Sequence, residues 1–515
     1  MEQTIPAGPD LTLGVGPEAF ADGKLLGHVG GEEVLLVQGR GGVFAVGPYC
    51  SHYHAPLAEG VVVENSIRCP WHHACFDLRS GEATCAPAFS ALDAWHVEER
   101  GGRFFVFAKK KARTIAQSAA NSSVKNIVII GGGAAGFAAA EMLRRLKFSG
   151  RITVLSSEAS APVDRPNLSK DYLAGTAPEE WLPLRPESYY LDADIQLHLQ
   201  TEVIRIDTAE QRVFVKNRGS LSYDRLLLAT GAEPVRLEVP GASEPYVHVL
   251  RSLADCRAII RAAKDARRAF VIGASFIGLE TAAALRARGL EVHVVAPEKR
   301  PMARIFGAEM ADAIRALHEE HGVVFHLGQN VASLAGGMVK LANGESFATD
   351  LVIVGIGVRP RLALAEQAGI AIDHGVTVNQ FLETSVPGIF AAGDIARWPD
   401  PHSNENIRAE HWVVAQRQGQ VAAMNMLGAR KAFEAVPYFW SQHYDIPINY
   451  VGHAEEWDDV EIEGDIRAKD CLLRYRKDGR ICAVASIFRD TANLQAEIEM
   501  ERNTAAKQVL RIRAV

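Results

Sequence analysis

Two short Cys/His pairs near the N-terminus carry the clearest potential for chemistry in this chain. Cys50-x-His52 is followed after 16 residues by Cys69-x-x-His72, so each pair lies on its own short segment. Two thiolates and two imidazoles can bind zinc, and they can also bind a 2Fe–2S cluster with mixed ligation. A pair of turns without metal is the third alternative. Because Cys-x-His does not match the usual zinc-finger spacing, the pattern favours an iron–sulfur cluster.

The sequence around these pairs, CSHYHAPLAEG and CPWHHACFDL, resembles a Rieske domain over about residues 10–108. The resemblance implies that Cys50 and Cys69 bind one iron of the cluster and that His52 and His72 bind the other. The nearby segments EEVLLVQG and GVFAV alternate as short strands do, which agrees with an all-β domain.

Four positions depart from high-potential Rieske proteins. The extra cysteines of that group are replaced by Ala55 and Trp71, and its Ser and Tyr hydroxyls are replaced by Ala74 and Phe76. Fewer hydrogen bonds to sulfur stabilise the reduced cluster less, which predicts a potential near the low end of the Rieske range, about −150 mV. We expect the neighbouring Cys and His side chains to pack or face solvent without binding metal: His54, His73, Cys75 and Cys85.

The length and charge of the chain limit the remaining possibilities. It has 515 residues, enough for two to four domains, and a net charge of −7, which provides no electrostatic footprint for nucleic acid. The N-terminal residues lack the pattern of a signal peptide, so we expect none, and because no run of 18 apolar residues occurs we expect no membrane span. Seven scattered cysteines without a C-x-x-C pair predict a reducing compartment, and we expect a cytoplasmic protein.

The Rieske resemblance, together with the resemblance of the later segments described below, implies a multidomain fold: an all-β Rieske domain, two Rossmann-like α/β dinucleotide-binding domains and a C-terminal α/β domain. The segment KKKARTIAQSAANSS is polar and is interpreted as a linker. The expected boundaries are 1–108 for the Rieske domain, 109–123 for the linker, 124–242 and 359–432 for the two parts of the first dinucleotide-binding domain, 243–358 for the second dinucleotide-binding domain and 433–515 for the C-terminal domain.

A dinucleotide-binding fingerprint begins directly after the linker. In NIVIIGGGAAGFAAAEMLRRLKFSGRITVLSSE, an apolar strand precedes Gly131-x-Gly133-x-x-Gly136, and a helix and a second strand end at Glu158. The glycines allow a tight turn and a close approach of the backbone to pyrophosphate, and the acid can bind ribose hydroxyls.

A second copy of this pattern is AFVIGASFIGLETAAALRARGLEVHVVAPE. It contains Gly273-x-Ser275-x-x-Gly278, with Glu298 just past the second strand. Two such folds suggest two nucleotides, one bound tightly and one exchanging. The acid near the strand end favours NADH, although NADPH stays possible.

Three further strand–turn segments, LLLATGAEP, VGIGVRP and IFAAGDIARW, complete a resemblance to the two-dinucleotide flavoprotein superfamily over about residues 124–510. The resemblance implies FAD in the first fold, NAD(P)H in the second, and Asp394 on the FAD ribityl chain. It places the remaining cofactor contacts at Arg165, Ala229, Thr230, Gly231 and Gly357.

The stretch that holds reactive cysteines in disulfide reductases has none here and reads VDRPNLSKDYL. It resembles instead the reductases of oxygenase systems and apoptosis-inducing-factor-like proteins. That resemblance implies a Lys170–Glu280 pair beside the flavin N5 edge, with Trp412 against the flavin ring and Trp440 close by. The alternatives are ordinary surface charges for the pair and core packing for the tryptophans.

The resemblance predicts an oxidoreductase of the apoptosis-inducing-factor-3-like group. It passes electrons from NADH through FAD to the cluster and on to an oxygenase or another electron carrier. An NADH-responsive sensor with slow turnover is an alternative, and a structural zinc module on a flavoenzyme is a weaker one. A homodimer is compatible with the resemblance. We expect the helical patterns at AIRALHEEHG and near residues 493–513 to pack locally.

Overall fold

The computed structural model describes residues 8–111 and 123–513. Its contacts divide the described chain into two units, each of which is considered by itself. The first unit comprises residues 8–111, 142–148 and 489–513, and the second comprises residues 123–141 and 149–488. Most of the linker predicted over 109–123 is outside the described residues.

The first unit contains nine strands and two small antiparallel sheets. The strands are β1 (Lys24–Val29), β2 (Glu32–Gly39), β3 (Gly42–Val46), β4 (Val61–Val63), β5 (Ser66–Arg68), β6 (Cys75–Asp77), β7 (Ala83–Cys85), β8 (Ala94–Arg100) and β9 (Arg103–Lys109). One sheet has the order β1-β2-β3-β8-β9 and the other has the order β4-β5-β6-β7. The loops that carry the Cys/His pairs join β3 to β4 and β5 to β6. The four-stranded sheet, which contains β4, β5 and β6, therefore holds the two loops side by side.

The core of this unit explains why the loops are well defined. Leu35, Ile67 and Phe76 are fully buried in one apolar cluster, and Cys50 and Cys69 belong to the same cluster. The thiols are therefore held by close packing of the surrounding side chains.

The second unit begins with a parallel sheet in the order β12-β11-β10-β16, followed by a three-stranded meander. The elements are β10 (Asn126–Ile130), α1 (Ala134–Arg145), β11 (Arg151–Leu155), α2 (Asp171–Ala174), α3 (Glu187–Asp192), β12 (Ile195–His198), β13 (Val203–Asp207), β14 (Arg212–Val215), β15 (Gly219–Ser222), β16 (Arg225–Leu228) and β17 (Ala232–Pro234). Strand β10 is buried along almost its whole length, as expected for a parallel strand covered on both faces.

A second parallel sheet follows, in the order β18-β25-β19-β20-β21, again with a three-stranded meander. The elements are β18 (Val247–Val249), α4 (Leu253–Ala263), β19 (Arg268–Ile272), α5 (Phe276–Ala287), β20 (Glu291–Ala296), α6 (Ala303–Glu320), β21 (Val323–Leu327), β22 (Val331–Ala335), β23 (Met338–Leu341), β24 (Ser346–Ala348), β25 (Leu351–Val354), β26 (Val358–Pro360) and α7 (Ala363–Gln367). Strand β26, which follows the second parallel sheet, pairs with β17, which follows the strands of the first, so hydrogen bonds connect the two sheet regions of this unit.

The chain then returns to the first parallel sheet and ends in an antiparallel one. The elements are β27 (Val376–Thr377), β28 (Ile389–Ala391), β29 (Ala396–Pro399), β30 (Asn406–Ile407), α8 (Trp412–Met426), β31 (Tyr438–His443), β32 (Ile446–Gly452), β33 (Asp459–Asp465), β34 (Asp470–Lys477), β35 (Arg480–Ile487) and α9 (Asp490–Arg513). Strand β28 pairs with β16 as a fifth parallel strand, and β31 to β35 form the order β31-β32-β35-β34-β33. Leu279 and Phe306 share a core with Ile448 and Tyr475, so the antiparallel sheet packs on α5 and α6.

The long C-terminal helix does not pack locally as expected from the sequence. Its Thr491 hydroxyl donates to the Glu59 carbonyl at 3.3 Å, and its Glu501 pairs with Arg68 at 2.8 Å. The helix therefore belongs to the first unit, although more than 400 residues separate it from β4 and β5. Within the described chain, no helix combines the length and apolar character that a membrane span needs.

Candidate functional site

The two predicted metal-ligand pairs lie on loops with the same backbone conformation. In each loop the cysteine N–H donates to the alanine carbonyl five residues later, and the histidine N–H four residues later donates to the cysteine carbonyl. These bonds join Cys50 to Ala55 at 2.9 Å and His54 to Cys50 at 2.9 Å, and Cys69 to Ala74 at 2.8 Å and His73 to Cys69 at 3.1 Å. The two histidines have φ values of 58° and 59°, so each loop closes through a left-handed turn.

The two cysteine sulfurs lie next to each other, and so do the two histidine imidazoles. The Cys50 and Cys69 thiols are hydrogen-bonded to each other, which lowers the pKa of Cys50, and both residues are 1% exposed. The ring centroids of His52 and His72 lie 4.9 Å apart. Burial lowers the pKa of His52 to about 3, so this imidazole is neutral, as a metal ligand must be.

This pairing fits a two-iron cluster better than a single ion. Across residues 8–111 and 123–513, no three Cys, His, Asp or Glu side chains converge as they do around one bound metal. A Rieske cluster instead takes two sulfurs at one iron and two imidazoles at the other. The shielded Nδ1 of His52 has no hydrogen-bond partner among the described residues, which leaves it available to a metal.

The residues that replace the polar groups of high-potential clusters offer no hydroxyl to the ligand loops. Ala74 and Phe76 are fully buried beside Cys69, whereas the Trp71 side chain is 38% exposed. The low potential stays a prediction, with this apolar lining as its physical basis.

The second ligand loop also contacts α9. His73 Nδ1 lies 2.5 Å from Glu497 Oε2, and both side chains are completely buried. His73 is therefore held by a structural contact, in keeping with its expected packing role. Sequence spacing offered no signal for its partner, because 424 residues separate the two.

A single cavity in the second unit receives residues from both glycine motifs. Its volume is about 860 Å³, toward the upper end of the range for ligand sites, about 300–1,000 Å³. A Cβ on Gly131 would lie 2.0 Å from the Ala229 carbonyl oxygen, so the strand and the loop approach each other too closely for any other residue. A Cβ on Gly133 would meet only Arg165, at 3.7 Å, so its backbone faces open space at the start of α1. This cradle fits the pyrophosphate of a dinucleotide.

Most of the predicted cofactor residues line this cavity, and four do not. The lining residues are Gly131, Gly133, Glu158, Arg165, Lys170, Ala229, Thr230, Gly231, Ser275, Glu280, Gly357, Asp394 and Trp412. Those outside the lining are Gly136, Gly273, Gly278 and Glu298. Gly136 and Gly278 instead let their helices approach the preceding strands, because a Cβ there would lie 1.9 Å and 2.2 Å from a glycine carbonyl oxygen. Glu298 is exposed.

Two arginines each pair with one acidic residue of the cavity. Arg251 Nη2 donates to Asp394 Oδ2 at 2.6 Å, and Arg165 Nη2 donates to Glu158 Oε1 at 2.8 Å. Arg165 also donates to the Arg251 carbonyl at 3.2 Å, which joins the two pairs. Arg251 was absent from the sequence-based set, because it lies in no motif and reaches Asp394 across 143 residues.

Lys170 and Glu280 form a buried ion pair in the wall of the cavity. Lys170 Nζ lies 2.8 Å from Glu280 Oε2, with side chains 10% and 3% exposed. The alternative that both are ordinary surface charges is therefore wrong. Trp412 and Trp440 line the same cavity and are half-buried, so neither is a simple core residue. The Lys170 ammonium lies 5.9 Å from the centroid of Trp440.

No cysteine lines the described cavity. Cys256 is fully buried near it, donates to the Leu168 carbonyl at 3.2 Å, and has its pKa raised to about 12 by burial. A buried thiol with so high a pKa is a poor nucleophile. The arrangement supports flavin chemistry without a redox-active disulfide.

Comparison with known families agrees with this arrangement. The pyridine nucleotide-disulphide oxidoreductase family matches residues 125–419, the Rieske [2Fe-2S] domain matches residues 17–96, and the reductase C-terminal family matches residues 438–510. The chain belongs to the pyridine nucleotide-disulphide oxidoreductase family. It combines this FAD- and NADH-binding module with a Rieske 2Fe–2S domain, and it is an NAD(P)H-dependent oxidoreductase.

Individual relatives are similar to most of this chain or to about two thirds of it. Apoptosis-inducing factor 3 of Homo sapiens is 35% identical over 482 residues, which cover 90% of this chain and 79% of that protein. The ferredoxin–NAD(+) reductase component of the anthranilate 1,2-dioxygenase system of Burkholderia cepacia is 35% identical over 354 residues, 68% of this chain and 87% of that protein. The covalent putidaredoxin reductase–putidaredoxin complex superposes with a TM-score of 0.72 at 32% identity and covers 74% of this chain and 94% of that chain.

Proposed function

We propose that this protein transfers electrons from NADH through FAD to a Rieske cluster bound by Cys50, His52, Cys69 and His72, and then to an external acceptor. The observation that carries the proposal is the presence, in one chain, of paired thiol and imidazole donors and of a dinucleotide cavity without a reactive thiol. Bound FAD can take a hydride from NADH and release electrons singly, which is the conversion that a one-electron cluster requires.

The residues of the chain would hold the nucleotides by ordinary polar contacts. The backbone at Gly131 and Gly133, with the start of α1 behind it, suits the FAD pyrophosphate. Asp394, which accepts a hydrogen bond from Arg251, would accept hydrogen bonds from the ribityl hydroxyls of bound FAD. The Lys170 ammonium provides a fixed positive charge in the cavity wall, and Glu280 holds that ammonium in position.

The preference for NADH over NADPH rests on the relatives rather than on Glu298. Glu298 is exposed and outside the cavity lining, so its expected contact with the nucleotide ribose has no support from its position. The Burkholderia cepacia relative is named as a ferredoxin–NAD(+) reductase, which supports NADH as the donor here.

An oxygenase or a small electron carrier is the acceptor class that fits best. One relative serves a dioxygenase system, and the structural relative is covalently joined to putidaredoxin. In this protein the fused Rieske domain takes the place of a separate carrier as the first acceptor of the flavin's electrons.

An anaerobic titration with NADH tests the proposal directly. We expect flavin absorbance to bleach and a reduced Rieske EPR signal to grow in the same protein. Bleaching without a cluster signal, in protein shown to contain iron, contradicts transfer from flavin to cluster. Very slow bleaching with a long-lived nucleotide complex favours the sensor alternative.

Replacing His72 by alanine tests the cluster and the flavin independently. The variant is expected to lose the cluster while it retains FAD and NADH-driven flavin reduction, because His72 and the cavity residues lie in different units. His54→Asn is the matched control, since His54 is exposed and asparagine tolerates its φ of 58°. If His72→Ala reduces cytochrome c at the parent rate, the route through the cluster is wrong.

A further inference from the structure

A chain of polar side chains leads from Glu280 into the interior, away from the cavity. The Ser441 hydroxyl donates to Glu280 Oε1 at 2.6 Å, and Ser441 Oγ lies 3.2 Å from His443 Nε2. His443 Nδ1 lies 3.1 Å from His318 Nε2, and His318 Nδ1 lies 3.4 Å from the Tyr444 hydroxyl. Five groups on α5, α6 and the β31–β32 hairpin therefore form one continuous sequence of hydrogen bonds.

This series of hydrogen-bonded side chains has an inner end at Glu280 and an outer end at Tyr444. Ser441, His443 and His318 are fully buried, and none of the three lines the cavity. Tyr444 is half-buried, and its ring stacks at 3.6 Å on the ring of His321, an exposed residue. The hydrogen bonds thus run from the carboxylate in the cavity wall to a half-buried tyrosine whose ring contacts the exposed His321, directly after α6.

The surroundings keep both buried imidazoles neutral. Burial and the nearby Lys170 charge lower the pKa of His443 to about 3. Burial, His443 and His321 place the pKa of His318 well below its ordinary value. At the outer end, burial raises the pKa of the Tyr444 hydroxyl, and the nearby Arg286 charge partly opposes that rise.

Neutral rings determine the direction of every hydrogen bond. The single Ser441 hydrogen points to Glu280, so Ser441 must accept from His443 Nε2–H. His443 Nδ1 then has no hydrogen and must accept from His318 Nε2–H. By the same argument, His318 Nδ1 accepts from the Tyr444 hydroxyl. All donors point toward the carboxylate.

We infer that Ser441, His443, His318 and Tyr444 form a proton path between Glu280 and solvent. In the outward direction, Glu280 gives its proton to Ser441, whose own proton passes to His443 Nε2. His443 Nδ1–H passes its proton to His318 Nε2, His318 Nδ1–H passes its proton to Tyr444, and Tyr444 releases a proton to water. In sum, a neutral carboxyl group and a water molecule become a carboxylate and a hydronium ion. After the proton has left, every hydrogen bond in the path has the direction that the structure shows.

This inference rests on the proposed function, in which a proton must be released for each NADH oxidised. Oxidation of one NADH by two one-electron acceptors frees one proton, and Lys170 and Glu280 lie in the wall where that proton must be handled. The four residues of the path act on the reaction through Glu280, so they are positioning and proton-carrying residues outside the cavity.

The tautomers can be measured without turnover. In the FAD-loaded full-length protein labelled with ¹⁵N-histidine, both His443 and His318 are expected to carry hydrogen on Nε2 only. Their signals among the 17 histidines can be assigned by comparison with His443→Gln and His318→Gln. An Nδ1–H tautomer at either residue overturns the inference, whatever the catalytic activity.

Proton release tests the path itself. Protein reduced with one equivalent of NADH is mixed with ferricyanide in weak buffer, while flavin absorbance and a pH-indicator dye are followed together. In Ser441→Ala we expect proton release to be at least about tenfold slower than in the parent, whereas Ser441→Thr keeps the hydroxyl and the parent rate. Tyr444→Phe, at the half-buried outer end, is expected to slow release as well and serves if Ser441→Ala does not fold.

The outcomes distinguish this inference from the proposed function. Release at the parent rate in Ser441→Ala or Tyr444→Phe overturns the proton path, even if NADH reduces the flavin normally. Failure of NADH to reduce the parent flavin overturns the proposed function, and the path is then judged by the tautomers alone.

Discussion

Replacing Glu280 by glutamine tests how strongly the buried ion pair depends on both of its charges. Glu280 and Lys170 lie 2.8 Å apart and are 3% and 10% exposed. At this distance the Coulomb attraction is about 6 kcal/mol for an effective dielectric constant of about 20. Much of that attraction compensates the loss of hydration of the two charges. Removal of one charge ends the compensation, so we expect the free energy of unfolding to fall by about 3–5 kcal/mol.

Glutamine is the appropriate replacement because it preserves volume and most hydrogen bonds. Its carbonyl oxygen can face Lys170 and Ser169, which now donate to Glu280 Oε2 at 2.8 Å and 2.5 Å. Its amide can then face Ser441 as a donor, because the serine hydroxyl also accepts. The loss of stability therefore reports the missing charge rather than a cavity or a clash.

Guanidinium unfolding of the FAD-loaded full-length protein measures this effect. The matched control is Glu319→Gln, which removes the same charge from a pair with Arg315 at 2.8 Å where both side chains are 44% exposed. An exposed pair contributes less than about 1 kcal/mol, so the control should unfold almost as the parent does. Equal losses in the two variants would refute the argument from burial.

Three further changes test other parts of the structure. Burial lowers the pKa of His443 to about 3 from 6.5, so the unfolded state binds more protons below pH 6.5. The stability contributed by its neutral form is complete above that pH and declines toward pH 3 by up to about 1.4 kcal/mol per pH unit. His443→Gln should flatten the dependence of unfolding free energy on pH between 6.5 and 4, and an unchanged slope contradicts this. Gly133→Ala should fold normally but weaken FAD binding by about tenfold, because the new methyl group enters the cavity. Parent-like affinity in a fluorescence titration would show that FAD does not bind against this glycine. Glu497→Gln should lower the free energy of unfolding, followed by loss of 2Fe–2S absorbance in denaturant, by about 1–3 kcal/mol. The reason is that it weakens a buried bond to His73. Glu501→Gln is its control, because that side chain is 31% exposed, and an equal effect would argue against a special role for Glu497.

The sequence alone identified those parts of the protein whose chemistry depends on residue type at short spacing. Cys50 and His52 are two residues apart, and the glycines at 131 and 133 occupy one turn between a strand and a helix. Metal ligation and a close approach to phosphate restrict such positions so strongly that a few letters predict them. The fold class followed for the same reason, because each motif predicts its own flanking strand and helix.

Sequence spacing was less informative where a contact depends on the packing of distant elements. Glu298 satisfied the local pattern but lies outside the cavity, because its position past β20 is decided by how the chain leaves that strand. Arg251 satisfied no pattern and yet pairs with Asp394.

Only the tertiary structure brought Ser441, His443 and His318 into line behind Glu280, and α9 beside the second ligand loop. These contacts join residues 125 to 424 positions apart. A sequence pattern records the periodicity of one helix or strand, whereas such contacts are selected by the packing of whole elements against each other. The reactive groups were therefore visible in the sequence, and the polar side chains that orient them became visible only once the chain was folded.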